Sequence, residues 1–387
     1  MNLKFLNYHN FNFSFDFFQR GVIHSFYQSI LNPTSKEVYK NKAFKESENC
    51  ARGIEEIKFI PYFLQLNSPK NKENYNIISF YRVENFYINL EGFTSAEDYL
   101  KSQMGSKSRS QLRMRKQRLE KCFDVEYKFY HGKIDEQKYN EIFDAFEHLI
   151  KKRFNQRGDL FSQKNNLSTI RANSYQMILK KKSSFFVIYA DRKIIDVCLN
   201  YHFQNVVQHF IRSYDIDYSK FGLGQIDIYK QLEICFEYNF TIFDFMWGKM
   251  KYKTRWSNKS ELYKHDFIYR KTPINKPIIL LLICLYKFHD ALKTNKLYTS
   301  IQEKLIGSEH VKPENVIVRT EELQNKIPVN LYEKISVKND LYSFLRKTIF
   351  DFQYLNFEKT SDTNVYKIDD KSYLISGINK QLKIYLS

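Results

Sequence analysis

Between residues 184 and 213 the apolar and aromatic positions come in runs: "SFFVIYA" (184–190), "IIDVCLNYHF" (194–203) and "VVQHFIRS" (206–213). Only "DRK" and "QN" separate them. Runs this long and this rich in Val, Ile, Phe and Tyr predict strands, and such short turns predict antiparallel neighbours. The period then changes. Ile228, Leu232, Cys235 and Phe236 share one face of a helix over 225–238, and "TIFDFM" (241–246) returns to strand. Upstream, Tyr139, Ile142, Phe143, Phe146, Leu149 and Ile150 form a core-facing stripe over 136–153, with Asp135 as its N-cap. The strand "FDVEYKFYH" precedes it. "EIKFIPYFLQLN" and "YNIISFYRVENFYINLEGF" are strand-like, with the loop "SPKNKENYN" between them. "TSAEDYLKSQMG" opens a helix that Thr94 or Ser95 can cap, with Glu97 and Asp98 in the first turn.

Residues 105–122, "GSKSRSQLRMRKQRLEKC", predict a basic helix. Lys107, Arg109, Arg113, Arg115, Lys116, Arg118 and Lys121 face a single acid, Glu120. Leu112, Arg115, Leu119 and Cys122 share one side. The helix either shows a solvated surface or lines an anion-binding cleft. Farther on, "KTPINKP" has the prolines of a linker, an apolar helix follows over 278–293, and 364–387 suggests two or three strands turning at "DD" and "SG". The order β-β-β-loop-α-β makes the fold class α+β, a sheet with a helix packed on it. No internal repeat is evident.

A formal charge of +18 is compatible with a polyanionic partner, but the lysines are spread along the chain, and no RNA-binding, zinc-finger or basic-zipper signature accompanies them. Nucleic acid is therefore not the expected main partner. Cys50, Cys122, Cys198, Cys235 and Cys284 are odd in number and include no C-x-x-C pair, which points to a reducing compartment with neither disulfide framework nor zinc site. The start, "MNLKFLNYHNFNFSF", has no unbroken apolar stretch of the signal-peptide kind. The longest apolar run, "PIILLLICLY", is about half of a membrane span. The expectation is a soluble cytoplasmic protein in which that run is a buried helix or makes a peripheral contact with an anionic membrane.

Gly222 and Gly224 stand one residue apart, directly before a helix, in a chain with only 11 glycines. A helix start leaves amides without intrahelical partners and carries partial positive charge, so it can hold a phosphate if side chains stay clear. Glycine keeps them clear and also permits a tight turn. The pair therefore suggests either a pyrophosphate cradle or a compact strand-to-helix connection. Neither the Walker pattern nor a full G-x-G-x-x-G is present.

The stretch Ser219-Lys-Phe-Gly222-Leu-Gly224 resembles the Arg/Gln-x-x-Gly-x-Gly/Ala motif of GNAT acyltransferases, with Ser219 departing at the first place. Tyr214-Asp215, Gly224, Phe243-Asp244-Phe245, Gly248 and Tyr252-Lys253-Thr-Arg-Trp256 are similar to the CelD/BcsL-like, polysaccharide-associated branch, whose fold is related to Fem-type peptidyl transferases. The resemblance covers about residues 95–270. It implies a GNAT fold with two GNAT-like halves in tandem, 1–105 and 106–270, followed by an α/β extension of unassigned role, 271–387. It also implies acetyl-CoA or another acyl-CoA as co-substrate, no metal, and transfer to an amine, plausibly on an amino sugar or nucleotide sugar for surface polysaccharide. Gly222, Leu223, Gly224, Gln225 and Ile226 would then hold the donor.

Transfer from a thioester to an amine needs a proton acceptor, a polarised carbonyl and two aligned substrates. Asp215 is the candidate base and Tyr214 the candidate acid for the leaving sulfur, although a turn residue and a packed aromatic would read the same way. Asp244 should point away from Phe243 and Phe245 and needs a cationic partner, Lys253 or Arg255. Tyr252, Lys253, Arg255, Trp256 and Arg115 are candidate substrate contacts. His209 is read as structural. Two alternatives stay open, an aminoacyl-tRNA-dependent Fem-type transferase and a non-catalytic basic scaffold.

Overall fold

The computed structural model describes residues 8–44, 53–69, 75–157, 166–293, 318–337 and 339–386. Part of the expected loop at 68–76 and Cys50 lie outside them. The chain begins β1 (Tyr8–Asn12), α1 (Phe13–Arg20), β2 (Ser29–Asn32), β3 (Glu37–Lys40), β4 (Ile54–Ile60), β5 (Gln65–Asn67) and the long β6 (Tyr75–Asn89). Then come α2 (Ala96–Gln103), α3 (Ser106–Cys122), β7 (Val125–Tyr130), α4 (Glu136–Arg157) and α5 (Leu167–Leu179). The meander is β8 (Ser183–Ala190), β9 (Lys193–Phe203) and β10 (Val206–Tyr214). A 3-10 turn (Ile216–Phe221) leads to α6 (Leu223–Glu237), β11 (Ile242–Trp247), α7 (Lys251–Trp256), β12 (Lys259–Arg270) and α8 (Asn275–Lys293). The remainder is β13 (Val318–Leu323), β14 (Glu333–Ile335), α9 (Arg346–Asn356), β15 (Asn364–Lys367), β16 (Ser372–Ser376) and β17 (Gln381–Leu386).

A nine-stranded sheet in the order β1-β4-β12-β6-β11-β10-β9-β8-β7 runs through the middle of the chain, so the fold is α+β as expected. Its two faces are covered by different helices. Phe13 and Phe17 of α1, Ile142 and Phe146 of α4 and Ile178 of α5 pack on one face. Leu100 of α2, Leu112 and Leu119 of α3 and Ile226 and Leu232 of α6 pack on the other. Every residue of β8 is buried, which is why it reads as a continuous apolar run instead of an alternating one. Ser95 caps α2 by accepting from the Asp98 amide at 3.1 Å.

The division at residue 105 does not follow the strand pairing. β12, assigned by sequence to the second half, lies between β4 and β6 of the first and pairs with β6 from Lys259 to Arg270. Residues 271–387 are likewise not one extension. α8 packs on Ile54, Phe80, Phe267 and Tyr269, whereas 318–386 build a separate five-stranded sheet. That sheet, with α9, docks through Phe350 and Tyr354 on Phe123, Tyr218 and Phe221, and Arg118 stacks on Tyr354 at 4.6 Å. The expected linker also shortens. Pro277 sits in the first turn of α8, where the missing N–H breaks no helical bond. Among the described residues no helix is long and apolar enough to cross a membrane.

Candidate functional site

β10 and β11 run parallel, yet they pair only through Val206–Ile242, Val207–Phe243 and Gln208–Asp244. Beyond Gln208 the ladder stops. At the same place β10 is bulged against β9, between His209 and Ile211, and a bulge bends its strand. The sheet therefore splits. α6 forms the connection from the free end of β10 back to β11, and its first residues lie at the mouth of the split.

The two glycines at that mouth have different reasons. Gly222 has φ 69°, a left-handed conformation that ends the 3-10 turn and starts α6. A Cβ there would also lie 3.0 Å from Cδ of Arg115. Gly224 has no such backbone demand; a Cβ on it would lie 2.6 Å from Nη2 of Arg212. The space kept clear by glycine is thus taken by two guanidinium-bearing side chains. Leu223 and Ile226 turn their side chains into the core, and Gln225 is half-buried.

Arg212 sits in a buried charge network. Its Nη1 is 3.6 Å from Asp227 and 3.9 Å from Asp196, both fully buried, and it makes no hydrogen bond. Burial, and then the neighbouring Asp227, hold the Asp196 carboxyl well above its usual range. His209 lies 3.5 Å from Asp227. Burial lowers its pKa and Asp227 partly offsets that. Cys198, His209 and Asp227 each offer one ligand atom within 4.8 Å of the others, but Arg212 already supplies positive charge to this trio. Tyr214 is held between two cations, with Arg153 at 4.8 Å and Arg212 at 5.0 Å from its ring centre. Arg115, Arg153 and Arg212 thus gather around the end of β10.

The root of the split is polar and buried. Asn85, Gln208 and Asp244 are fully buried and Lys253 nearly so. Oδ1 of Asp244 accepts from the Met246 amide at 2.8 Å, while Oδ2 makes no hydrogen bond. Burial pushes the Asp244 pKa up to about 6. It pushes Lys253 down to about 8, against the pull of Asp244. Nζ of Lys253 donates to the Trp247 carbonyl. Phe243 and Phe245 point into the opposite core, so the alternation expected around Asp244 is what separates it from them.

Other candidates fall elsewhere. Asp215 is buried and accepts from Lys152 at 2.6 Å and Lys193 at 3.4 Å; it also caps the 3-10 turn. Burial would raise its pKa, but the two lysines outweigh that and hold it below the ordinary carboxylate range. A carboxylate so pinned is a structural cap and a poor base. The cationic wall imagined from Lys253, Arg255 and Trp256 does not assemble. In α7, Lys253 and Trp256 are three residues apart and both turn inward, whereas Tyr252 is exposed and Arg255 half-buried. Trp256 is fully buried in the α6-side core, and its carbonyl accepts from Tyr99. Arg113 pairs with Glu97 on the surface.

Sequence reasoning missed Arg212, Arg153, Asp227, Gln208 and Asn85. Arg212 left one sign, a charged residue near the end of an otherwise apolar strand beside a G-x-G. The bulge after His209 hides which way it faces.

Residues 106–254 match the family model described as "Acetyltransferase (GNAT) domain". No curated protein matches the chain in sequence. Among solved structures, a conserved protein of unknown function from Bacteroides thetaiotaomicron aligns over 60% of this chain and 77% of its own, at 9% identity and TM-score 0.39. FemX aligns over 52% and 64%, at 10% identity and TM-score 0.39. A tandem GNAT protein from the clavulanic acid biosynthesis pathway aligns over 57% and 65%, at 6% identity and TM-score 0.28. Overlaps this slight carry no argument about activity. The family match stands on sequence, and it runs from the start of α3 into α7. The split between β10 and β11, with the arginines at its mouth and Asp244 at its root, lies in a segment similar to GNAT acetyltransferase domains.

Proposed function

We propose that the chain transfers an acyl group from acyl-CoA to an amine bound at the split in the sheet. The observation that carries this reading is the parting of β10 and β11 after Gln208–Asp244, inside the segment that matches the GNAT family. The donor supplies the thioester. Its phosphates suit the mouth, where Arg115 and Arg212 stand beside the two glycines of the helix start and Arg212 keeps a buried Nη1 without a hydrogen bond. Asp244, with a pKa near neutrality and an unbonded Oδ2, is the base we favour over Asp215, taking the amine's proton through water. Tyr214 at the mouth is the candidate proton donor to the leaving sulfur. An amino sugar or nucleotide sugar as acceptor rests on the polysaccharide-branch resemblance alone.

A second donor, aminoacyl-tRNA, fits the same mouth, because Arg115, Arg153 and Arg212, gathered at the end of β10, would also pair with tRNA phosphates. Thermal unfolding separates the readings. Acetyl-CoA at millimolar concentration should raise the unfolding temperature if the first holds. No shift with any acyl-CoA, together with tRNA binding that falls steeply with salt, would transfer the assignment to the second.

Gly224→Ala probes the mouth directly. Its Cβ would lie 2.6 Å from Nη2 of Arg212 and push that guanidinium away from the buried Asp196 and Asp227, so the protein should fold but lose part of the stability that Arg212→Ala loses. Displacing that guanidinium should weaken acetyl-CoA binding about tenfold, or about 1.4 kcal/mol, by titration calorimetry. Unchanged affinity would remove Arg212 from the donor site.

A further inference from the structure

α8 is apolar on both sides, but among the described residues the fold covers only one of them. Ile279 and Ile283 are buried against Phe80 and Phe267. Tyr286 bonds Glu56 at 2.9 Å, and Arg82 holds Asp290 at 2.7 Å. On the other side Leu280, Leu281, Leu285 and Phe288 are 43–64% exposed, and Ile274 just before the helix is 66% exposed. A helix that is hydrophobic all round is normally enclosed. A contiguous exposed apolar face of this kind marks a contact surface.

Charge selects the partner. Residues 270–293 carry Arg270, Lys271, Lys276, Lys287 and Lys293 against one acid, Asp290, which is already paired with Arg82. Arg270, Lys271, Lys276 and Lys287 are exposed around the apolar stripe. A second copy of the chain would bring the same cations face to face, on molecules that each carry +18. Anionic headgroups would neutralise them while the leucines and Phe288 enter the acyl boundary. We infer that the outer face of α8 docks the protein on an anionic membrane surface, lying in the interface without crossing it. The inference does not depend on the acyl-transfer reading, because α8 lies outside the split and outside the matched segment.

The test is sedimentation with vesicles of phosphatidylcholine alone or of phosphatidylcholine mixed with anionic phosphatidylglycerol. The native protein should bind the mixed vesicles at least about tenfold more tightly, and less tightly as salt rises. Leu281→Asp with Phe288→Asp should abolish binding, and Lys276→Gln with Lys287→Gln should weaken it. Both pairs are exposed, so thermal unfolding should be unchanged. An environment-sensitive dye on the exposed Cys284, in a Cys50→Ser background, should shift to the blue only when mixed vesicles are added. Equal binding to both vesicle types, or to neither, would overturn the inference. So would full binding by the aspartate variant. A dye already blue-shifted without lipid would show that another part of the chain covers the face. A dimer that the aspartate variant dissolves, seen by analytical ultracentrifugation, would make the face a subunit interface instead.

Discussion

Arg212→Ala should lose about 3–5 kcal/mol of stability, the usual penalty for stripping one partner from a buried ionic network. Asp227 and Asp196 are fully buried, and Arg212 is the guanidinium within 4 Å of both. The loss should depend on pH. The Asp196 carboxyl is raised in the folded state, so the stability linked to it is complete below the ordinary carboxylate pKa and fades as pH climbs through the raised value. The variant should therefore be closest to the native protein at or below the ordinary carboxylate pKa and fall farther behind it as pH rises, by urea denaturation. Arg212→Lys should restore part of the stability, because it keeps a charge, but not the donor affinity, because it cannot present a planar fork. A pH-independent deficit would mean that the carboxylates do not depend on Arg212.

Asp244→Asn should separate stability from activity. The Asp244 pKa rises from 3.8 to about 6, mainly through burial, and each unit corresponds to about 1.4 kcal/mol. A raised carboxyl favours the fold below its ordinary pKa and penalises it as pH rises through about 6. The asparagine variant escapes that penalty. It should match the native protein near pH 4 and exceed it at pH 8 by at most about 3 kcal/mol, less whatever Lys253 loses with its charged neighbour. The retained carbonyl can still accept from the Met246 amide. Activity should move the other way, with kcat/KM falling by about 10²–10⁴. The native rate should fall off on the acid side of about pH 6, and the variant should show no such limb. A variant that is more stable at pH 8 but fully active would leave Asp244 a buried oddity and return the search for a base to the mouth of the split.

Much of the fold follows from local pattern. The three meander strands, the stripes on α4 and α6 and the cap at Ser95 are short-range consequences of which positions are apolar. Two of the missed elements, α7 and β12, fail for equally local reasons. α7 has only six residues, and β12 alternates imperfectly through Lys264, His265 and Asp266. The site was less legible. Gly222, Gly224, Tyr214 and Asp244 stand out in the sequence because they break the surrounding pattern. Asp215 stands out equally and proves to be a salt-bridged cap, since nothing local shows that Lys152 reaches it across 63 residues.

The sequence by itself determined the class of fold, the place of the glycine-led helix and the acyltransferase resemblance, because periodicity and turn chemistry are short-range properties. Only the tertiary structure decided that β12 crosses into the first half, that Trp256 is core and that arginines stand beside Gly222 and Gly224. Those outcomes depend on long-range burial and charge pairing. A guanidinium from another strand or helix occupies the space beside a glycine through packing that no stretch of neighbouring residues encodes.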